Sequence, residues 1–230
     1  MNEDFFKNLS LDYYGEMNGK IQKRDIDGLI HASSIGGCNK KLWYKLTHTE
    51  PKKRIKSSLY ETFQHGHAVH DWRQKMYIAQ IEKLSDWDFI CEVSTSDKKF
   101  GGRIDPLVIG STDGLLIHKP TGDRFIYELK TIAEASWEKL RSPQKKHLLQ
   151  TNIYAKAFGA VGIHIEYFNK NKDKSKYFYI EPTEELFNEA YSQVDYVFQF
   201  LNNGEEPLPD PSFFECKSCP YYYVCRPEEG

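Results

Sequence analysis

The chain lacks a long apolar run, so no segment is expected to span a bilayer as a helix. Its amino terminus, Met1-Asn2-Glu3-Asp4-Phe5-Phe6, is acidic and carries no apolar core of a signal peptide. A cytoplasmic location without membrane partners is the expectation. It also lacks an excess of either charge. A net charge of −2 argues against binding nucleic acid by global charge alone, while leaving room for a local basic groove. Internal repeats and low-complexity tracts are absent, which excludes a solenoid. Cysteine is scarce, with five in 230 residues. In a reducing compartment these are expected to be metal ligands or free thiols rather than disulfides.

What is present reads as one mixed domain with an appendage. Residues 1–30 suggest a helix or two with a polar link. Ser33-Ser34 is a suitable N-cap for a helix over Cys38–Leu46. Pro51–Ser58 reads as a basic loop. Thr62–Leu84 has helical periodicity, with Phe63, Val69, Met76, Ile78 and Leu84 as expected core contacts. Strands are expected at Phe89–Val93 and Arg103–Ile109. A short helix over Ser136–Leu140 stops at Pro143. A strong helix over Lys146–Phe158 ends at Gly159. Strands follow at Ile163–Phe168 and Lys176–Ile180, then a long helix from Thr183 to Leu201. The order implies an α/β fold, a mixed central sheet flanked by helices.

The chemistry concentrates in one hairpin. Leu115-Leu116-Ile117 and Phe125-Ile126-Tyr127 are short apolar runs separated by turn formers, His118 to Arg124. Residues two apart on a strand share a face, so Glu128 and Lys130 point the same way. Folding about Thr121-Gly122 returns Asp113 to their neighbourhood. Two hard carboxylates from separate strands suit Mg²⁺ or Mn²⁺. A lysine beside the ion can orient water or offset charge on a phosphate. The plainer reading is a surface ion pair.

Supporting residues lie elsewhere. Gln150 and Tyr154 are four apart, hence on one helical face. They are placed to bind a phosphate or brace the lysine. His70 can offer a neutral imidazole nitrogen to a metal, whereas His65 and His67 read as ordinary half-buried histidines. Lys40, Lys41, Lys45, Lys52, Lys53, Arg54 and Lys56 form one basic group; Lys139, Arg141, Lys145 and Lys146 form another. Either reads first as a solvated face.

Cys216-Lys217-Ser218-Cys219 and Cys225 form a compact thiol set near the end. C-x2-C with a third cysteine nearby is a metal-ligand signal that wants a fourth ligand, for which Cys38 is the natural candidate. Cys91, among apolar strand residues, reads as a buried free thiol. Four thiolates suit zinc or an iron–sulfur cluster equally.

Taken in order, Cys38, Lys40, Lys41 and Tyr44, His70, Asp113, Glu128-Leu129-Lys130-Thr131, Gln150 and Tyr154, and Cys216, Cys219 and Cys225 resemble the PD-(D/E)xK nuclease superfamily. The likeness is to its RecB-like iron–sulfur exonuclease branch, which includes CRISPR-adaptation exonucleases and related phage exonucleases. It runs from about Ser33 to Cys225. It implies a restriction-endonuclease-like core in which His70, Asp113, Glu128 and the Leu129 carbonyl hold a divalent metal. Lys130 is then the catalytic lysine, with Gln150 and Tyr154 as the adjoining Q-x3-Y motif. Gly102-Arg103-Ile104-Asp105 also looks like the family's G-x-x-D, so Asp105 competes with Asp113 for the role of first acid; the spacing of Asp113 to Glu128 suits a single turn and favours Asp113. It further implies a [4Fe–4S] cluster on Cys38, Cys216, Cys219 and Cys225, joining the two ends of the chain. The corresponding regions are 1–60, a helical part contributing one cluster cysteine; 61–202, the nuclease core; and 203–230, the cysteine tail. The implied activity is a metal-dependent DNA exonuclease acting on single strands or ends, with recombination or CRISPR-adaptation proteins as partners. The competing expectations are a catalytically silent DNA-end-binding adaptor and a zinc-stapled interaction module.

Overall fold

The computed structural model describes residues 28–52, 57–102, 105, 107–210 and 213–229. The reading of residues 1–27, most of the basic loop after Pro51, and Arg103, Ile104 and Pro106 lies outside them. Two compact units emerge. One comprises Ile30–Gly36 and Ala68–Tyr196; the other includes Gly37–His67 and Val197–Gly230, as far as these are described.

Strands are β1 (Ile30–His31), β2 (Trp87–Ser94), β3 (Val108–Ile109), β4 (Ser111–His118), β5 (Asp123–Ile132), β6 (Gly162–Asn169) and β7 (Lys174–Ile180). Helices are α1 (Asn39–Leu46), α2 (Ser57–Ile81), α3 (Glu134–Lys139), α4 (Lys145–Phe158), α5 (Glu184–Asn203), α6 (Phe213–Ser218) and α7 (Tyr222–Cys225). The main sheet has the order β2-β4-β5-β6-β7. Its pairs are antiparallel except β5 with β6. Parallel neighbours need a crossover, and α3 and α4 supply it. This is the expected α/β architecture. β1 and β3 form a separate parallel pair.

Each sheet face has its own core. On one, Val69 of α2 packs with Tyr127, Leu129 and Phe168, flanked by Tyr77, Phe89 and Leu116. The alternate residues Ile126, Ile163, Ile165 and Tyr167 are buried, as are Leu149, Ile153 and Phe158 of α4. Helix α4 ends where expected, with Gly159 left-handed at φ 62°. Thr183 caps α5, its hydroxyl accepting from the Leu186 amide at 3.2 Å.

Several expectations need correction. Ser33 and Ser34 do not cap α1. They belong to a 3-10 turn, Ala32–Ser34, and the residue preceding α1 is Cys38. The strand expected over Arg103–Ile109 is, where described, only Val108–Ile109. The Asp105 carboxylate takes the amides of Leu107 and Val108 at 2.7 and 3.0 Å, which turns the chain instead of extending it. Helix α2 ends at Ile81, so Leu84 lies beyond it and is 52% exposed; Phe63 is 44% exposed. Val69 is buried as expected and Met76 and Ile78 are half-buried; apolar periodicity misses the polar residues that the helix also turns to the sheet. His65 and His67 are exposed rather than half-buried, and Cys91 is half-buried rather than buried.

Gly110, between β3 and β4, shows how tightly the site is framed. A Cβ there would lie 2.8 Å from the Tyr154 ring and 3.1 Å from Ala32 Cβ. Tyr154 is 1% exposed and has nowhere to move. Gly110→Ala is therefore expected to destabilise the fold by about 1–3 kcal/mol, the usual cost of overpacking, as measured by urea denaturation.

Candidate active site

The hairpin folds as the sequence suggests, and the decisive feature is where its pairing ends. β4 and β5 pair from His118↔Asp123 to Gly114↔Tyr127 and no further. Beyond that the strands part, and side chains replace the ladder. The Thr112 hydroxyl donates to the Tyr127 carbonyl at 2.9 Å. The Leu129 amide donates to Asp113 Oδ2 at 2.7 Å. Asp113 is thus fixed at the mouth of a gap whose other wall is β5. His70 of α2 comes to the same place, with Nδ1 3.2 Å from Asp113 Oδ1.

On β5, Glu128 is buried and Lys130 lies beside it, Nζ to Oε1 at 2.6 Å. Gln150 of α4 ties the two together. Its amide nitrogen donates to Glu128 Oε1 at 2.8 Å, and its oxygen accepts from Lys130 Nζ at 3.0 Å. The same nitrogen reaches the Tyr154 hydroxyl at 3.0 Å. Glu128 Oε2 is buried without a partner among the described residues. A buried carboxylate oxygen with no donor is costly unless a cation or water meets it. The donors present, two carboxylates and one imidazole, are those a hard divalent ion takes. The residues therefore fit such an ion. They are not drawn onto it here: among the described residues no three His, Cys, Asp or Glu side chains converge as a ligand group. His70 is engaged with Asp113, and Asp113 with the Leu129 amide.

The electrostatics agree. Burial, then the charge of Asp113, lift the Glu128 pKa to about 7, against the pull of Lys130 and His70. Burial opposes charge on Lys130, but Glu128 and Asp113 outweigh it and raise its pKa. Burial likewise opposes protonation of His70, but the hydrogen bond and charge of Asp113 outweigh it and raise its pKa.

The family model of the PD-(D/E)XK nuclease superfamily matches residues 40–226. The chain belongs to the PD-(D/E)XK nuclease superfamily. The crystal structure of SSO0001 is similar over 96% of this chain and 98% of its own, at 16% identity and a TM-score of 0.59. That of an alkaline exonuclease from Laribacter hongkongensis is similar over 77% of this chain and 89% of its own, at 15% identity and a TM-score of 0.52. No curated protein sequence matches. At these identities the two structures speak to the fold, which is the nuclease fold the family match indicates.

Within that fold Asp105 stands apart from the acid pair. Its carboxylate is taken up by the Leu107 and Val108 amides and by the Tyr191 hydroxyl. It lines a cavity with Thr95, Lys156 and Phe187. The basic group around Lys145 is partly neutralised, Lys145 pairing with Glu189 at 2.5 Å.

The four expected cysteines, Cys38, Cys216, Cys219 and Cys225, line one pocket, which Tyr44 and Tyr221 also line. Burial holds the Cys38 and Cys219 thiols above their ordinary pKa. Cys91 is elsewhere, on β2 opposite Gly114, its pKa pushed up to about 11 by burial and then by Glu92 and Asp113.

Sequence reasoning missed several residues that frame this candidate site. Thr112, Gln74, His147 and Tyr167 have no motif to mark them. Gln74 donates to the Asp113 carbonyl at 2.9 Å. The Tyr167 hydroxyl accepts from the Gln144 amide at 2.9 Å and meets His147 Nδ1 at 2.7 Å, which pins the first turn of α4. Burial, then the charges of Lys130 and Lys146, hold His147 down to about 2, so its ring stays neutral. Only the i, i+3 spacing of His147 and Gln150 on one helical face hinted at the connection.

The raised Glu128 pKa has a stability consequence. A carboxyl whose folded pKa exceeds its unfolded value favours folding while protonated. That contribution is full below the ordinary carboxylate pKa and is lost as pH rises through about 7. His70, also raised, acts in the same direction. Metal-free protein is expected to lose stability from about pH 5 to about pH 8 more steeply than Glu128→Gln does, read by urea denaturation across that range.

Proposed function

We propose that this chain is a metal-dependent DNA exonuclease of the RecB-like iron–sulfur branch, cleaving phosphodiester bonds at DNA ends or in single strands. One observation carries the reading. A buried carboxylate, Glu128, keeps one oxygen unpartnered across a strand gap from Asp113 and His70, while its other oxygen is bonded to a lysine and a glutamine. The alkaline exonuclease whose fold is similar supports the choice of reaction.

In this reading Asp113, Glu128 and His70 hold Mg²⁺ or Mn²⁺, assisted by the Leu129 carbonyl. Such an ion, when bound, polarises the phosphate and makes its water more acidic. Lys130 faces the scissile phosphate and offsets the charge that grows on it. Gln150 holds the ammonium in place by accepting from Lys130 Nζ, and Tyr154 steadies Gln150. Partly exposed tyrosines and phenylalanines serve as stacking surfaces for bases.

The four cysteines hold one [4Fe–4S] cluster in this reading, with zinc as the alternative metal. The support is that all four line a single pocket and that the burial of Cys38 and Cys219 disfavours free thiolates. Metal coordination is the usual way to stabilise a buried thiolate. The cluster is structural, with Cys38 far in sequence from the other three, so ligation closes a long loop. Recombination or CRISPR-adaptation proteins are the proposed partners.

An assay on end-labelled linear and circular DNA with Mn²⁺ or Mg²⁺ tests the reaction. Linear DNA should be degraded and circular DNA spared. Asp113→Ala or Glu128→Ala should lower the rate at least about a hundredfold, from loss of a metal ligand, while Asp105→Asn keeps it. Full activity in folded Glu128→Ala protein would rule the site out. Lys130→Ala should lose turnover while retaining DNA binding, because its charge matters most in the transition state. Protein purified without oxygen should be brown, with about four iron atoms per chain. Cys91→Ser should keep the colour and Cys38→Ser lose it. Colourless protein with stoichiometric zinc would replace the cluster by zinc.

A further inference from the structure

A second buried carboxylate lies on the opposite face of the sheet, and no motif marks it. Glu166 of β6 has no exposed surface. Its register partner on β5 is Leu129, the residue whose amide holds Asp113. Unlike Glu128, it is fully met. Oε2 accepts from the Tyr127 hydroxyl at 2.6 Å and from the Tyr77 hydroxyl at 2.9 Å. Oε1 accepts from the Ser175 hydroxyl and pairs with Arg73 at 3.3 Å. Arg73 also donates to Ser175 at 3.0 Å, and its guanidinium packs near the Trp72 and Phe168 rings, 4.7 and 5.0 Å from their centroids.

Two of these donors, Arg73 and Tyr77, belong to α2, the helix that carries His70. Positions 70, 73, 74 and 77 follow the i, i+3, i+4, i+7 spacing and so form one stripe on that helix. The fourth, Gln74, donates to Glu92 at 2.6 Å and to the Asp113 carbonyl at 2.9 Å. The stripe that would ordinarily be apolar is a row of directional bonds. An apolar seam tolerates sliding and rotation; an ion pair with hydroxyl bonds does not, because each bond fails steeply with distance and angle. The seam begins one turn after His70. On the sheet side it is continuous with the site, since the Tyr127 hydroxyl donates to Glu166 and the Tyr127 carbonyl accepts from the hydroxyl of Thr112, next to Asp113.

We propose that Glu166 is a positioning residue: through Arg73 and Tyr77 it sets the axial position and rotation of α2, and thereby where His70 stands relative to Asp113 and the divalent metal. The inference rests on the metal-site reading above, with His70 as a ligand. Glu166 touches no substrate and no metal. It acts by sparing the metal the work of dragging a loosely docked helix into place.

The test compares Mn²⁺ binding, followed by the electron paramagnetic resonance signal of free Mn²⁺, in the full chain and in Glu166→Gln, Tyr77→Phe, His70→Ala and Glu166→Gln/His70→Ala. Circular dichroism and urea transitions check folding. Glu166→Gln and Tyr77→Phe should each weaken Mn²⁺ binding about tenfold or more, the usual effect of removing an outer support of a ligand. In the His70→Ala background Glu166→Gln should add nothing, because its effect passes through His70. Unchanged Mn²⁺ affinity in folded Glu166→Gln and Tyr77→Phe overturns the proposal and leaves the metal site standing. An equal loss in the presence and absence of His70 also overturns it, since it would show general loosening of the fold. If Glu166→Gln does not fold, Tyr77→Phe carries the same decision. His70→Ala that binds Mn²⁺ like the unaltered chain removes His70 from the ligand set and this proposal with it.

Discussion

The site depends on the point at which β4 stops pairing with β5. Up to Gly114 the two strands share a regular ladder; past it they diverge, and the freed amide of Leu129 and carbonyl of Tyr127 must find other partners. Asp113 and Thr112 supply them. The same bonds that repair the backbone therefore aim a carboxylate into the gap. Gly114 and Gly110 bracket this divergence. A Cβ on the first would lie 2.3 Å from the Phe89 ring, and one on the second 2.8 Å from the Tyr154 ring. The chain can part here because it carries no side chain where two aromatic rings press against it.

Two glutamates are buried on opposite faces of the sheet, Glu128 on β5 and Glu166 on β6, and their different treatment is informative. Glu166 has donors on both oxygens. Glu128 has donors on one only, and the other oxygen is left bare. An interior carboxylate oxygen without a donor is costly, so this contrast is what the proposed divalent ion at Glu128 would account for. The raised pKa of Glu128 expresses the same fact, as burial and Asp113 press against its ionisation. Removing a partner from either glutamate leaves a buried charge uncompensated, which is where large destabilisation arises.

The opposite helix, α4, brings its own constraint. Its middle is buried on nearly all sides although it contains Gln150, Thr151 and Asn152. Thr151 returns its hydroxyl to the His147 carbonyl at 2.8 Å, and Asn152 bridges the Leu148 carbonyl and the Thr183 amide at 2.8 and 2.9 Å. Only Gln150 spends its amide on the site. Polar residues inside a packed helix are tolerated because each finds a partner, and that accounting singles out Gln150 without any motif.

The sequence by itself determined the local elements and their punctuation. Alternating and apolar runs marked the hairpin, β6 and β7, Gly159 marked the end of α4, and Thr183 the start of α5, because these are signals a chain carries within a few residues. Period-two geometry put Glu128 and Lys130 on one face, and helical spacing put Gln150 with Tyr154. Cys38 was named with the tail thiols because three ligands want a fourth, and the four do line one pocket. Only the tertiary structure showed how differently Asp113 and Asp105 are held, since this turns on where two strands separate and on Tyr191, remote in sequence, reaching Asp105. It alone showed that α2 meets the sheet through His70, Arg73, Gln74 and Tyr77 as well as through the apolar Val69. It alone showed Glu166 at the centre of that contact. Hydrophobic periodicity registers burial that is apolar. Burial made of charges and hydroxyls leaves no such trace, because each group is paid for by a partner that the sequence does not place beside it.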